Sequence, residues 1–489
     1  MAGERTVGLS ILIARLPDAQ ISGDRASAVT GIETSSQAVR PGGVFVALRG
    51  THTDGHRYVP QAIAAGARAV VVDATYPEAD ASGVTVIRVA DTRRALSALS
   101  GAFFGDPSHS LDVIGITGTN GKTTTSRMIA AILNEGGVPC GVVGTVGAEF
   151  GDDAWQLGNT TPLPPELHAS LARMRDSGAR AVAMEVSSHA LALDRVEDVR
   201  FRVAVLTNVT RDHLDFHQTL EAYAAAKRRL FAAARACVLN ADDVRGVRWA
   251  AELAREGRDV VTYGSSPGAT LAAQEIEVLP DGSRFRVDGA EFVLHLPGRF
   301  NVWNALAALG AARHLDVDAT TAARALASLQ RVAGRMEHVR GDGIDVVVDY
   351  AHTPDALTHA LESLRETARG AVTLVFGCGG DRDQGKRSEM GAVAARLADR
   401  IIVTNDNPRS EDPRVIAKEI VAGMAGRAHV IELDRRRAIE RAVGEAHPGD
   451  VVLIAGKGHE AHQIIGDRVL PFDDAAVARA ALSLRSAPR

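Results

Sequence analysis

Val113-Ile114-Gly115-Ile116-Thr117-Gly118-Thr119-Asn120-Gly121-Lys122-Thr123-Thr124 runs directly into the helix-forming stretch Thr125 to Asn134. An apolar β-branched run, a glycine turn and helix formers in that order predict a strand, a tight loop and a helix. Glycines let backbone N–H groups approach phosphate oxygens, and the helix N-terminus adds positive potential. Gly118, Thr119, Asn120, Gly121 and Thr124 are the candidate cradle, with Lys122 neutralising terminal phosphates and Thr123 offering its hydroxyl to magnesium. Ile116 stands where the common Walker A pattern begins with glycine, so the loop is a variant. A glycine turn that holds no nucleotide is the bland alternative.

Outward from this loop, apolar runs alternate with Ala-rich helical stretches: VFVAL (44–48), AVVVD (69–73), AVAME (181–185), VAVLTN (203–208), VVVDY (346–350), TLVFG (373–377), IIVTN (401–405) and VVLIAG (451–456). Such alternation predicts an α/β fold with mainly parallel sheets. Turn formers at Gly105-Asp106-Pro107 and at Ala333-Gly334 mark two boundaries. Three domains are expected: a small N-terminal α/β domain (1–107), a central P-loop ATPase-like domain (108–333) and a C-terminal Rossmann-like domain (334–489). A β-like patch around 275–297 reads as an insertion in the middle domain.

With 489 residues, two or three domains of about 100–200 residues are anticipated. Hydrophobic residues at 46% and charged residues at 24% fit a soluble enzyme rather than a disordered chain. A net charge of -5 argues against a nucleic-acid partner. Cys140, Cys237 and Cys378 have no metal-type spacing and suit a reducing cytoplasm. The first twenty residues lack a basic start and a clean cleavage site, and no apolar run reaches membrane-spanning length, so neither export nor membrane insertion is expected.

Three further residues suggest chemistry. Glu185 closes the strand AVAME, where α/β sheets present ligands and a carboxylate can hold magnesium; helix capping is the alternative. His213, in Thr207-Asn208-Val209-Thr210-Arg211-Asp212-His213, again follows a strand and can complete a metal shell as a neutral imidazole. Lys227, on the helix of Glu221-Ala-Tyr-Ala-Ala-Ala-Lys227, reads equally well as a solvated surface charge.

Taken in order, TGTNGKTT, Asn159-Thr160-Thr161-Pro162, MEVSSHAL, TNVTRDHLDFH, the helix lysine, LPGRFNVWNAL, GRME and DYAHTPDAL resemble the Mur ligase family across nearly the whole chain. The resemblance implies three domains, for a UDP-sugar, for ATP and for an incoming amino acid. It also implies an ADP-forming reaction in which a peptide carboxylate attacks the γ-phosphate of ATP, and an amine then displaces inorganic phosphate from the resulting acyl phosphate. Lys122, Glu185, His213 and Lys227 would be the catalytic residues, with Thr123, Glu185, His213 and a carbamylated Lys227 (N6-carboxylysine) as magnesium ligands. Asn301, Asn304, Arg335, Asp349 and His352 match positions around ATP. Ser36, Thr51, His52 and Thr53 match uridine-diphosphate positions, and Asn159, Thr160, Thr161, Ser187 and Arg195 match sugar-peptide ones. Gln37 and Gly43 depart from the family, which often has arginine and an acidic residue there.

The segment Asp406-Asn407-Pro408-Arg409 matches the meso-diaminopimelate-adding branch, and Arg387, Gly456 and Glu460 match the rest of that amino-acid site. Diaminopimelate carries a second carboxylate that a forked guanidinium binds bidentately. The implied substrates are thus ATP, meso-diaminopimelate and UDP-N-acetylmuramoyl-L-alanyl-D-glutamate, used by a cytoplasmic monomer. An L-lysine-adding relative, folylpolyglutamate synthetase and a P-loop nucleotide switch are the alternatives. Alone, DNPR is an Asx-Pro turn.

Overall fold

Runs of Val and Ile become strands because branched side chains pack well on a pleated, buried surface. The structure, a computed structural model, describes residues 5–50, 53–76, 83–279 and 281–485. Three principal sheets carry an α/β fold. The N-terminal sheet orders its strands Gln20–Ser22, Thr85–Val89, Ala69–Asp73, Val44–Val46 and Ile32–Glu33, parallel except for the first pairing. A nine-stranded sheet includes Asp112–Thr117, Ala181–Glu185, Phe201–Leu206 and Asp259–Gly264. The C-terminal sheet runs Glu337–Gly341, Ile344–Asp349, Val451–Ala455, Val372–Phe376, Arg400–Val403 and Val430–Ile431, antiparallel only at the first pairing.

The chain clusters into two compact units. The first comprises residues 1–115, 138–204 and 229–235; the second comprises 116–137, 205–228 and 236–489. In the second unit the period of two along the C-terminal strands separates two cores. Val347, Leu374 and Leu453 pack with Leu361 and Met390, whereas Val346, Val375 and Ile454 pack with Ile439 and Val477. The expected insertion is a three-stranded antiparallel sheet of Gln274–Leu279, Gly282–Val287 and Ala290–Leu294. Among the described residues no helix is long and apolar enough to cross a membrane.

The first unit buries one histidine without compensation. His168, on the helix Pro164–Asp176, is 0% exposed, and neither ring nitrogen has a hydrogen-bond partner among the described residues. Burial, reinforced by Arg15 and His109 and opposed by Asp106, brings its pKa down to about 4. In the unfolded chain an ordinary imidazole takes its proton near pH 6.5. Between pH 6.5 and 4 the unfolded state therefore binds more protons, so stability falls as pH falls through that window. His168→Leu is expected to flatten this acid sensitivity, by up to about 1.4 kcal/mol per pH unit. Melting curves of both proteins between pH 7 and 4.5 test this, and parallel declines would contradict it.

Candidate functional site

The strand Asp112–Thr117 extends through Ile116, which is fully buried, and this accounts for the departure from a glycine-first pattern. The turn itself starts only at Gly118, whose φ is 152°, and ends at Gly121, at 88°, where the helix Lys122–Glu135 begins. A Cβ on Gly118 would run into the Thr207 hydroxyl, and one on Gly121 into the Asn304 side chain. Asn208 holds the loop from outside. Its carbonyl accepts from the Thr119 N–H and its side-chain oxygen from the Asn120 N–H, each at 2.9 Å. The Lys122 ammonium folds back to donate to the carbonyls of Gly118 and Thr119 at 2.8 Å each. The Thr123 hydroxyl accepts from Arg335 at 2.8 Å.

Lys227 is not a surface charge. It is 1% exposed, donates to the Gly118 carbonyl at 2.7 Å and lies 4.4 Å from the centre of the Tyr223 ring. Burial and the neighbouring Lys122 push its pKa well below the ordinary lysine range, against the pull of Asp212. Burial disfavours the charged form, so the amine is more readily deprotonated than an exposed lysine.

His213, in a left-handed conformation at φ 53°, sits 3.3 Å from a carboxylate oxygen of Asp212. His352 and Lys386 approach the same carboxylate at 3.9 and 3.8 Å. Burial drives the Asp212 pKa upward, yet His213, Lys386 and His352 outweigh it and hold the group below the ordinary carboxylate range. Burial and Lys386 bring the His352 pKa down to about 4, with Asp212 opposing.

Asn304 donates to Asn301 at 2.9 Å, and Asn301 to the Pro297 carbonyl at 2.7 Å. Asp349 accepts from the backbone N–H groups of Met336 and Ala351, so it fixes the turn that carries Arg335. The guanidinium of Arg335 stacks over the Tyr350 ring at 4.4 Å.

Asp406, Asn407, Pro408 and Arg409 follow the strand Arg400–Val403. Arg409, at φ 52°, donates to the Gly380 carbonyl at 2.7 Å and, among the described residues, has no carboxylate within ion-pair distance. Glu460 accepts from Asn407 at 2.8 Å and from Lys457 at 3.0 Å. Burial raises the Glu460 pKa, but the Lys457 ion pair more than offsets this and keeps the carboxylate ionised. Gly456 has φ 115°, and a Cβ there would strike the Asp406 carboxylate; one on Gly380 would strike the Pro408 carbonyl, and one on Gly377 the Thr404 carbonyl. Arg387 departs from its expected company. It is 0% exposed and donates to Glu411 at 2.8 and 2.9 Å and to Glu419 at 2.6 Å.

Buried Arg435 bridges the roots of two loops, donating to the carbonyls of Asn405 at 3.2 Å and Ala455 at 3.0 Å. Asp474, 0% exposed, meets the same guanidinium bidentately at 2.8 and 2.7 Å.

In the first unit, Glu185 is 1% exposed and accepts from the Thr145 N–H and hydroxyl, both at 2.9 Å. Thr160 lies 3.2 Å from that hydroxyl. Thr161 donates to the Glu185 carbonyl at 2.9 Å and accepts from the Ser187 N–H at 3.0 Å. Arg195 donates to the Thr161 carbonyl at 2.9 Å, while its Nε has no hydrogen-bond partner among the described residues. Asn159 is exposed, and Ser36 donates to Gln61 at 2.9 Å. Thr53 is described, whereas Thr51 and His52 lie outside the described residues.

Thr145, Asn208, Asp212, Lys386 and Lys457 join these sites without standing out in the sequence. Asn208 and Asp212 sit inside a quoted motif, and Lys457 directly follows the run VVLIAG, so the signal was present. Gly144, where a Cβ would meet the Glu185 side chain, is the only pointer to Thr145. Among the described residues no group of three or more His, Cys, Asp or Glu side chains is gathered as a ready metal cage. The donors present, a threonine hydroxyl, an imidazole and isolated carboxylates, fit magnesium, which keeps waters and takes phosphate oxygens rather than a full protein shell.

Three family models match the chain: the Mur ligase family catalytic domain over residues 28–104, the Mur ligase middle domain over 116–312 and the Mur ligase glutamate ligase domain over 334–458. A UDP-N-acetylmuramoyl-L-alanyl-D-glutamate--2,6-diaminopimelate ligase of Chlorobaculum tepidum is 48% identical, covering 91% of this chain and 90% of its own. One of the same name from Xanthomonas campestris is 45% identical over 99% and 98% of the two chains. A solved structure of such a ligase superposes with a TM-score of 0.68 at 32% identity, covering 99% of this chain and all of its own. A UDP-N-acetylmuramoylalanyl-D-glutamyl-2,6-diaminopimelate--D-alanyl-D-alanyl ligase from Acinetobacter baumannii shares the fold at TM-score 0.65 and 20% identity, over 93% and 96% of the chains.

Proposed function

The chain belongs to the Mur ligase family and is an amide-bond-forming ligase; on that premise we propose that it uses ATP to join meso-diaminopimelate to the D-glutamate of UDP-N-acetylmuramoyl-L-alanyl-D-glutamate. Residues 1–107 hold the UDP end, 108–333 hold ATP and 334–489 hold the amino acid. The enzyme works in the cytoplasm as a monomer, in the making of cell-wall precursor.

Two anions, a peptide carboxylate and a triphosphate, must be brought together, so positive charge has to be concentrated where they meet. Lys122 reaches the terminal phosphates from the loop of Gly118 to Thr124, and Arg335 is held against Thr123 at the same loop. Asn301, Asn304, Asp349 and His352 line the nucleotide. Thr123, Glu185, His213 and Lys227 are the residues that would hold magnesium, which when bound would supply positive charge to offset that of the phosphates. Lys227 is suited to carbamylation because burial and Lys122 favour loss of its ammonium proton, and the carbamate that the free amine forms with carbon dioxide is an anion able to hold a metal. Thr160, Thr161, Ser187 and Arg195, with Asn159 and the uridine positions Ser36, Thr51, His52 and Thr53, orient the carboxylate to be activated. The incoming amine then displaces phosphate from the acyl phosphate.

The observation that carries the choice of amino acid is Arg409. Its guanidinium is held by the Gly380 carbonyl, half-buried and without a carboxylate partner among the described residues. A ligand with a far carboxylate completes it, and lysine brings an ammonium there instead. Glu460, kept ionised, faces the ammonium, while Asp406, Asn407, Pro408 and Gly456 shape the loop. Arg387, paired with Glu411, braces it.

Phosphate release from ATP with the muramoyl dipeptide and a panel of amino acids tests this reading. Diaminopimelate-dependent turnover is expected. Equal turnover with lysine refutes the specificity, and independence of the sugar nucleotide refutes the acceptor. Arg409→Ala is expected to raise the KM for diaminopimelate by about 1–3 kcal/mol, roughly 5–150-fold, with ATP affinity unchanged.

A further inference from the structure

Lys457 is a buried cation near the Asp406–Arg409 loop, and it lies within the glycine-lysine-glycine turn that follows the strand Val451–Ala455. Its side chain is 0% exposed, a costly place for an ammonium unless neighbours compensate it. Two do. Nζ donates to Oε2 of Glu460 at 3.0 Å and to Oδ1 of Asn407 at 3.1 Å. Asn407 closes the triangle by donating Nδ2 to the same Oε2 at 2.8 Å. Both donors thus occupy one carboxylate oxygen, and Oε1 of Glu460 accepts no hydrogen bond among the described residues.

A hairpin secures the other side of Asn407. The strands His462–Ile465 and Arg468–Pro471 pair antiparallel, and Ile464 donates its N–H to Oδ1 of Asn407 at 3.0 Å. Gln463 donates to the Asp406 carbonyl at 2.9 Å. The Arg409 N–H donates to the Ile464 carbonyl at 3.2 Å, and Gly466 returns a bond to the Arg409 carbonyl at 2.8 Å. Asp406 to Arg409 is therefore stitched as a parallel bridge onto the hairpin, with Arg409 kept at φ 52°. A non-glycine residue holds that left-handed conformation only where its surroundings over-determine it.

We propose that Lys457, acting with the hairpin His462–Pro471, is the positioning residue of the amino-acid site: it pins Oε2 of Glu460 and Oδ1 of Asn407 so that Oε1 faces the incoming ammonium while Arg409 faces the far carboxylate. The inference rests on the diaminopimelate reading above. Lys457 does not touch the substrate; it fixes the spacing between an anion and a cation that bind opposite ends of one zwitterion. Losing it frees Glu460 to rotate and loosens Asn407, the residue through which the loop and the turn are joined.

Lys457→Met in the full chain keeps the stem and removes the charge. The expected result is a KM for diaminopimelate raised about 10–100-fold, with kcat within about threefold and the KM values for ATP and the muramoyl dipeptide within about twofold. Melting curves establish that the variant is folded. A folded variant with an unchanged diaminopimelate KM overturns the proposal, as does an equal rise in all three KM values. Should the variant not fold, Gln463→Leu removes one stitch of the hairpin, and its expected rise of about fivefold in the same KM alone carries the test; no rise overturns the proposal. A wild-type chain that turns over no diaminopimelate fails the parent reading itself, whereas wild-type turnover with an indifferent Lys457→Met fails only this inference.

Discussion

Asp474→Ala is expected to destabilise the C-terminal part of the chain by about 3–5 kcal/mol, because it strands the Arg435 charge where no water reaches it. Both partners are 0% exposed, and the guanidinium meets both carboxylate oxygens. Such a pair is worth little against an apolar substitute of the same shape, but breaking it from one side leaves an uncompensated ion. Arg435 also holds the Asn405 and Ala455 carbonyls, which are the last anchors before the Asp406–Arg409 loop and the Gly456 turn. Diaminopimelate affinity should therefore fall with stability. Urea denaturation followed by circular dichroism reads the first effect, and the double variant Arg435→Met/Asp474→Leu should recover most of it. A shift under about 1 kcal/mol for Asp474→Ala would show that Arg435 finds water or another partner.

Lys122→Met is expected to cut turnover by about 10²–10³-fold while leaving the fold intact. In the structure the ammonium is not free to wander: two loop carbonyls hold it at the N-terminal end of the helix Lys122–Glu135. A cation set in place before the reaction stabilises charge as it develops without reorganisation at that moment. Arginine should not rescue the variant, since a planar fork cannot reproduce a compact ammonium donating to two converging carbonyls. Steady-state ligation and nucleotide binding measured together make the test. A loss under tenfold in a folded protein would remove Lys122 from the chemistry.

Much of this is legible in the amino-acid sequence. The apolar runs became strands at the places read, and the glycine loop lies between a strand and a helix as its composition requires. What escaped was partnership across the sequence. Lys227 sits in AAAKRRL, which looks like a solvated helix face, and its burial comes from the Gly118 carbonyl 109 residues earlier. Arg387 looks available in GKR, yet its two terminal nitrogens are paired with carboxylates 24 and 32 residues on. Lys457 hides for the same reason. Helical and strand periods report which face a residue occupies, whereas ion pairing depends on loops whose meeting no local pattern encodes. Ile116 is the reverse case: an apparent flaw in the motif becomes ordinary once the strand is seen to absorb it.

The three glycines around the Asp406–Arg409 loop restrict the path the chain can take there. Gly377, Gly380 and Gly456 lie on separate stretches of chain, and each leaves room for a backbone or carboxylate atom of that loop or its root. Two of the gaps take backbone carbonyls, those of Thr404 and Pro408, which every residue carries, so side chains of the loop can be exchanged without touching them. The path of the loop is less free: a side chain added at Gly377 or Gly380 would close the space those carbonyls occupy and push the whole segment aside.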